Sequence, residues 1–80
     1  MRLDKWLKVS RIIKRRTVAN EACDNGRITV DGRVVKASYD VKVGDVLELK
    51  FGEKVIRVEV LSTAEIVGKT GAEAMYQQLQ

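Results

Sequence analysis

The densest group of ligand-binding side chains in this sequence is Lys14-Arg15-Arg16, and the chemistry open to it is anion binding. Arginine forks onto phosphate bidentately and stacks on unpaired bases, which suits structured RNA. Three adjacent cations alone would equally describe a solvated charge run. Arg2, Lys5, Lys8 and Arg11 lie just upstream and enlarge the group, and Asp4 sits among them. Asp4 has a simpler role available as well, since an anion favours the first turn of a helix and Lys8 lies four residues on. Other chemistries lack their residues. There is no histidine, and no glycine-rich phosphate loop has a standard spacing. The single thiol, Cys23, falls on a face read below as buried, where a thiol is inert. Asp31 and Asp45 read as turn residues rather than an acid/base pair. No catalytic constellation emerges, and no cofactor or metal is expected.

The charge is lopsided. Residues 1–27 carry eight basic and three acidic side chains, whereas residues 28–80 carry seven and eight. An excess confined to the first third is the footprint of a polyanion-binding surface. An anionic membrane is the weaker reading, because the helical stretches lack a broad Leu/Phe face. No apolar run approaches the ~20 residues of a membrane helix, and the charged N-terminus has no signal-like apolar core. With one cysteine, no internal disulfide forms. These features predict a single soluble, cytoplasmic domain over residues 1–80.

The elements that would position the cations follow from periodicity. Leu3, Trp6, Leu7 and Ser10 recur at the spacing of one helix face, predicting a helix over residues 2–10 with a basic outer side. A second helix is predicted from about Arg15 to Asp24. Its buried face would be Ala19, Ala22 and Cys23, small enough for close packing, and Asn25-Gly26 would end it. The period then changes to two. Ile28 and Val30 precede the hairpin turn Asp31-Gly32, and residues 33–36 return. Val41 and Val43 lead to a turn at Gly44-Asp45. Leu47, Leu49 and Phe51, and then Ile56, Val58 and Val60, mark two half-buried strands joined at Gly52-Glu53. Ala72, Met75, Tyr76 and Leu79 share a helical face, predicting a short C-terminal helix within residues 70–80. The fold class is α+β: two packed N-terminal helices, a small mostly antiparallel sheet, and that closing helix.

Arg2-Leu3-Asp4-Lys5-Trp6-Leu7, Lys14-Arg15-Arg16 with Ala19, Gly26-Arg27-Ile28-Thr29-Val30-Asp31-Gly32 and Val43-Gly44-Asp45 together closely resemble the S-four RNA-binding domain. The match covers residues 1 to about 50, and the opening block is most like the heat-shock-type branch and its small stand-alone quality-control factors. Three departures stand out. Asp31 replaces the usual Asn of the hairpin turn, and Arg15 replaces a Ser or Thr that often precedes the family arginine. A basic extension seen in some heat-shock-type relatives is not in this sequence. By position, Arg2, Asp4 and Arg16 match the family's binding motif.

The resemblance implies a role on stalled, split large ribosomal subunits, and a monomer is expected. There it would bind rRNA and peptidyl-tRNA and assist an Rqc2/NEMF-type tailing factor in adding C-terminal alanine to the nascent chain. Composition and spacing by themselves imply only a basic two-helix surface. Alternatives are a general structured-RNA binder in ribosome assembly or an accessory subunit of an RNA-modifying enzyme. A chaperone of the cold-shock type would need aromatic platforms, and only Tyr39 and Phe51 are candidates on the strands and loops.

Overall fold

A computed structural model describes residues 1–63, 71–72 and 74–79 of the chain. Two helices, α1 (Leu3–Val9) and α2 (Arg16–Asp24), precede five strands: β1 (Ile28–Val30), β2 (Arg33–Val34), β3 (Val46–Phe51), β4 (Lys54–Val60) and β5 (Tyr76–Leu79). The strands form one antiparallel sheet in the order β2-β1-β3-β4-β5.

The helix stripe behaves as its spacing requires. Leu3, Trp6 and Leu7 are fully buried, and Ala19, Ala22 and Cys23 line the opposing face of α2. They share one core with Ile28, Val30, Leu47, Leu49, Val58 and Val60 from the inner face of the sheet. Each fully buried Leu, Ile or Val contributes about 1.5–3 kcal/mol. Trp6 is a core residue, not a stacking platform: its indole N–H donates to the Ser62 carbonyl at 2.9 Å. Its ring meets Tyr76 edge-on, with centroids 6.4 Å apart.

Turn chemistry sets the strand register. Asp31 (φ 50°) and Gly32 (φ 85°) both adopt positive φ, as a two-residue hairpin turn whose twist matches the strands demands. Val30 therefore opposes Arg33 and Thr29 opposes Val34. Gly26 takes the left-handed position after α2 (φ 75°), and its amide donates to the Cys23 carbonyl. In the next turn, the Asp45 carboxylate accepts from the Lys42 amide at 3.0 Å and from the Tyr39 hydroxyl at 2.8 Å.

Two expectations are corrected. Tyr76–Leu79 is not helical but pairs with β4 as an edge strand, Val60 opposite Tyr76 and Arg57 opposite Leu79. Within the expected C-terminal helix, only Gly71 and Ala72 are helical among the described residues; Thr70, Glu73 and Gln80 lie outside them. The physical reason is that β4 offers an unpaired backbone edge, and satisfying it outweighs a weak four-residue helical face. Phe51, at the tip of the β3–β4 hairpin opposite Lys54, has run past the edge of the core and is exposed.

Candidate nucleic-acid interface

The N-terminal residues are tied down before the first helix begins. Leu3 N–H donates to the Tyr39 carbonyl and Val41 N–H to the Met1 carbonyl, both at 2.8 Å, forming a one-residue β-bridge between Arg2 and Asp40. The Met1 amine pairs with the Asp40 carboxylate at 2.7 Å. That bond, with the amine's charge, holds the Asp40 carboxyl below its ordinary value. Arg2 thus occupies the N-cap of α1 with extended backbone and offers no side-chain cap. Its guanidinium is free for other work.

That work is directed by Asp4. The carboxylate is only 2% exposed, in the first turn of α1, and its neighbours saturate it. Arg2 donates bidentately, Nε to Oδ1 at 3.2 Å and Nη2 to Oδ2 at 3.3 Å. Arg16, at the start of α2, lies with Nε 3.4 Å from Oδ2. Asn20 Nδ2 donates to the same oxygen at 3.2 Å, and the Lys5 amide donates to Oδ1 at 2.8 Å. Burial by itself raises this carboxyl, but hydrogen bonds from Arg2, Asn20, Arg16 and the Lys5 amide outweigh it and hold it below its ordinary 3.8. One buried anion therefore gathers two arginines from different helices. Both stay about half exposed, with side chains 51% and 46% accessible, so each keeps donors facing solvent.

The close approach of the helices is what permits this. Ala19 and Ala22 place little bulk between α1 and α2, so Asp4 reaches across to Arg16 and Asn20. No Asp4–Lys8 pair forms among the described residues. The i to i+4 partner available along α1 is passed over for partners on α2.

The other cations of the sequence distribute around this centre. Lys8, Arg11, Lys14 and Arg15 are exposed and Lys5 is half-buried. None of the four exposed ones bonds to the Arg2–Asp4–Arg16 group among the described residues. Lys14 and Arg15 lead into α2, with Arg15 as its N-cap and no side-chain capping bond. Arg11 is unusual in adopting a left-handed backbone (φ 63°) directly after the buried Ser10. The thiol of Cys23 stays in the core, pushed up to about 12 by burial and then by the charges of Asp4 and Asp24. It carries no nucleophilic chemistry.

Asn20 is the member that sequence reasoning missed. A signal was present: asparagine is a poor helix-interior residue unless its amide has a specific partner, and Asn20 stands one turn beyond Arg16. Arg16, Thr17, Asn20 and Glu21 line, with Asp4, an open cleft of about 370 Å³ along α2.

Comparison with known proteins agrees with this geometry. Residues 1–47 match the S4 domain family. The chain is 54% identical over 77 residues to the RQC P-site tRNA stabilizing factor of Halalkalibacterium halodurans, covering 96% of this chain and 88% of that one. The protein of the same name from Streptococcus pneumoniae is equally similar over the same shares. The trimeric structure of heat shock protein 15 from Vibrio cholerae superimposes with a TM-score of 0.90 at 26% identity, over 99% of this chain and 81% of that one. The family match over residues 1–47 spans both helices that carry the clamp, and the chain belongs to the S4 domain family.

Proposed function

We propose that the protein is a non-catalytic, cytoplasmic RNA-binding factor. On this reading it binds rRNA and peptidyl-tRNA on stalled, split large ribosomal subunits and supports alanine tailing by an Rqc2/NEMF-type factor, acting as a monomer. The observation that carries it is the Asp4 clamp. A fully saturated buried carboxylate holds two half-exposed guanidinium groups side by side, and two fixed arginines suit adjacent phosphates or a phosphate beside an unpaired base. The relatives' name supports the ribosomal address, since those proteins are named for stabilizing P-site tRNA.

The test compares four single-charge deletions at one fixed salt concentration. Arg16→Ala, and to a lesser extent Arg2→Ala, weaken co-sedimentation with large subunits by about 1–3 kcal/mol, the range for charged hydrogen bonds. Lys42→Ala and Lys50→Ala remove the same charge from the sheet and leave binding nearly unchanged. Equal losses in all four would show that net charge alone drives association. Unchanged binding in Arg16→Ala would place the surface elsewhere.

A further inference from the structure

The cleft beside Arg16 is not purely basic. Glu21 lines it together with Thr17 and Asn20, and its exposed carboxylate has no ion-pair partner among the described residues. For a surface that only grips phosphate, an unpaired carboxylate beside the principal arginine is a liability, because it repels the ligand the arginine attracts. The arrangement makes sense for a ligand that presents acceptors and donors side by side.

Arg16 meets Asp4 through Nε and its side chain stays 46% accessible, so its guanidinium remains open to a ligand. Asn20 spends one amide N–H on Asp4 and keeps its carbonyl oxygen as an acceptor. Arg16 and Asn20 are one helical turn apart, as are Thr17 and Glu21, and all four line the cleft. The cleft therefore offers a cationic fork, a hydroxyl and two acceptors, one of them charged.

We propose that this cleft reads an unpaired guanine of the bound RNA. Guanine carries N7 and O6 as adjacent acceptors, which match an arginine fork, and then N1–H and N2–H as adjacent donors, which match a carboxylate. No other RNA base presents two acceptors followed by two donors in sequence across its Hoogsteen and Watson–Crick edges. Arg16, held by Asp4, takes the acceptor half, and Glu21 the donor half. This rests on the RNA-binding reading above and adds base recognition to it.

Glu21→Ala separates the two mechanisms by sign. Base reading predicts that the variant loses at least about fivefold in large-subunit association at fixed salt, although it gains net positive charge. A phosphate-only surface predicts tighter binding. Glu21→Gln, which keeps one acceptor, recovers part of the loss, and melting temperatures of both variants stay at the wild-type value because Glu21 is exposed. In parallel, binding is measured to an RNA stem-loop whose single unpaired loop position is set to G, A, C or U. The wild type prefers G by at least about fivefold, and Glu21→Ala abolishes the preference. Equal or tighter large-subunit binding in Glu21→Ala, or no base preference in the wild type, overturns the proposal. Failure of wild-type protein to bind large subunits would overturn the ribosomal address instead, with the stem-loop series still deciding the base.

Discussion

Asp4 makes the arginine pair possible, and its chemistry sets a pH signature. Hydrogen bonds from Arg2, Asn20, Arg16 and the Lys5 amide stabilise its ionised form in the folded protein beyond what burial costs. A carboxyl held below its unfolded value contributes stability that is complete above that unfolded value and lost as pH falls through the native one. Asp4→Asn removes the anion while keeping the shape, leaving two neighbouring guanidiniums without a counter-charge. The variant is expected to lose about 1–3 kcal/mol of stability near neutral pH and to bind large subunits more weakly, despite its extra net positive charge. Thermal melts from pH 7 downward check this. The gap between wild type and variant stays constant above the ordinary carboxyl value of 3.8 and closes below it. A gap that widens on acidification would show that Asp4 stabilises the fold in some other way.

Between the helices, the connection carries a backbone conformation that arginine does not favour. Arg11 sits at φ 63° after the Ser10 hydroxyl has bonded the Leu7 carbonyl at 3.1 Å. A left-handed non-glycine residue costs roughly 1–2 kcal/mol, and glycine removes that cost while adding some unfolded-state entropy. Arg11→Gly is therefore expected to leave the melting temperature unchanged or slightly raised. Because Arg11 belongs to the proposed RNA-binding surface, the same variant should weaken RNA binding. Parallel melting and filter-binding measurements test the pair of signs. A clear drop in stability would mean that the arginine side chain supports the connection. The β5 strand illustrates the same scale from the other side. Its four residues are placed by the backbone edge of β4 and not by their own pattern.

Across the whole molecule, charge and fold are segregated. The positive excess lies within residues 1–27, which form the helical layer, while the sheet half is close to neutral. The sheet uses its charges internally, as in the Arg57–Glu48 pair at 3.9 Å and the Gln77–Glu59 bond at 2.8 Å. If roughly four to six cations of the helical layer displace counterions, log affinity for structured RNA falls with log salt at a slope near −3 to −5. Glu21→Ala leaves that slope unchanged and Arg16→Ala reduces it by about one. A slope near zero would remove the electrostatic basis of the interface.

Local rules sufficed for much of this molecule. The stripe Leu3-Trp6-Leu7 buries because helical period brings it to one face, and Asp31-Gly32 turns because it tolerates positive φ; neither depends on distant residues. The basic character of the first third was legible for the same reason, since charge is a property of composition. Tertiary structure decided the rest. Asp4, as a sequence feature, fitted a helix-dipole role, a pair with Lys8 or the orienting of one arginine equally well. Only the packing of α1 on α2 adds Arg16 and Asn20 to the local partner Arg2, because they lie 12 and 16 positions away and meet the same carboxylate in space. Tyr76–Leu79 likewise had a plausible helical face, and it became a strand because a neighbouring strand left hydrogen bonds to be made. Which groups must be satisfied across the fold is a non-local question, and residue spacing along one element does not contain the answer.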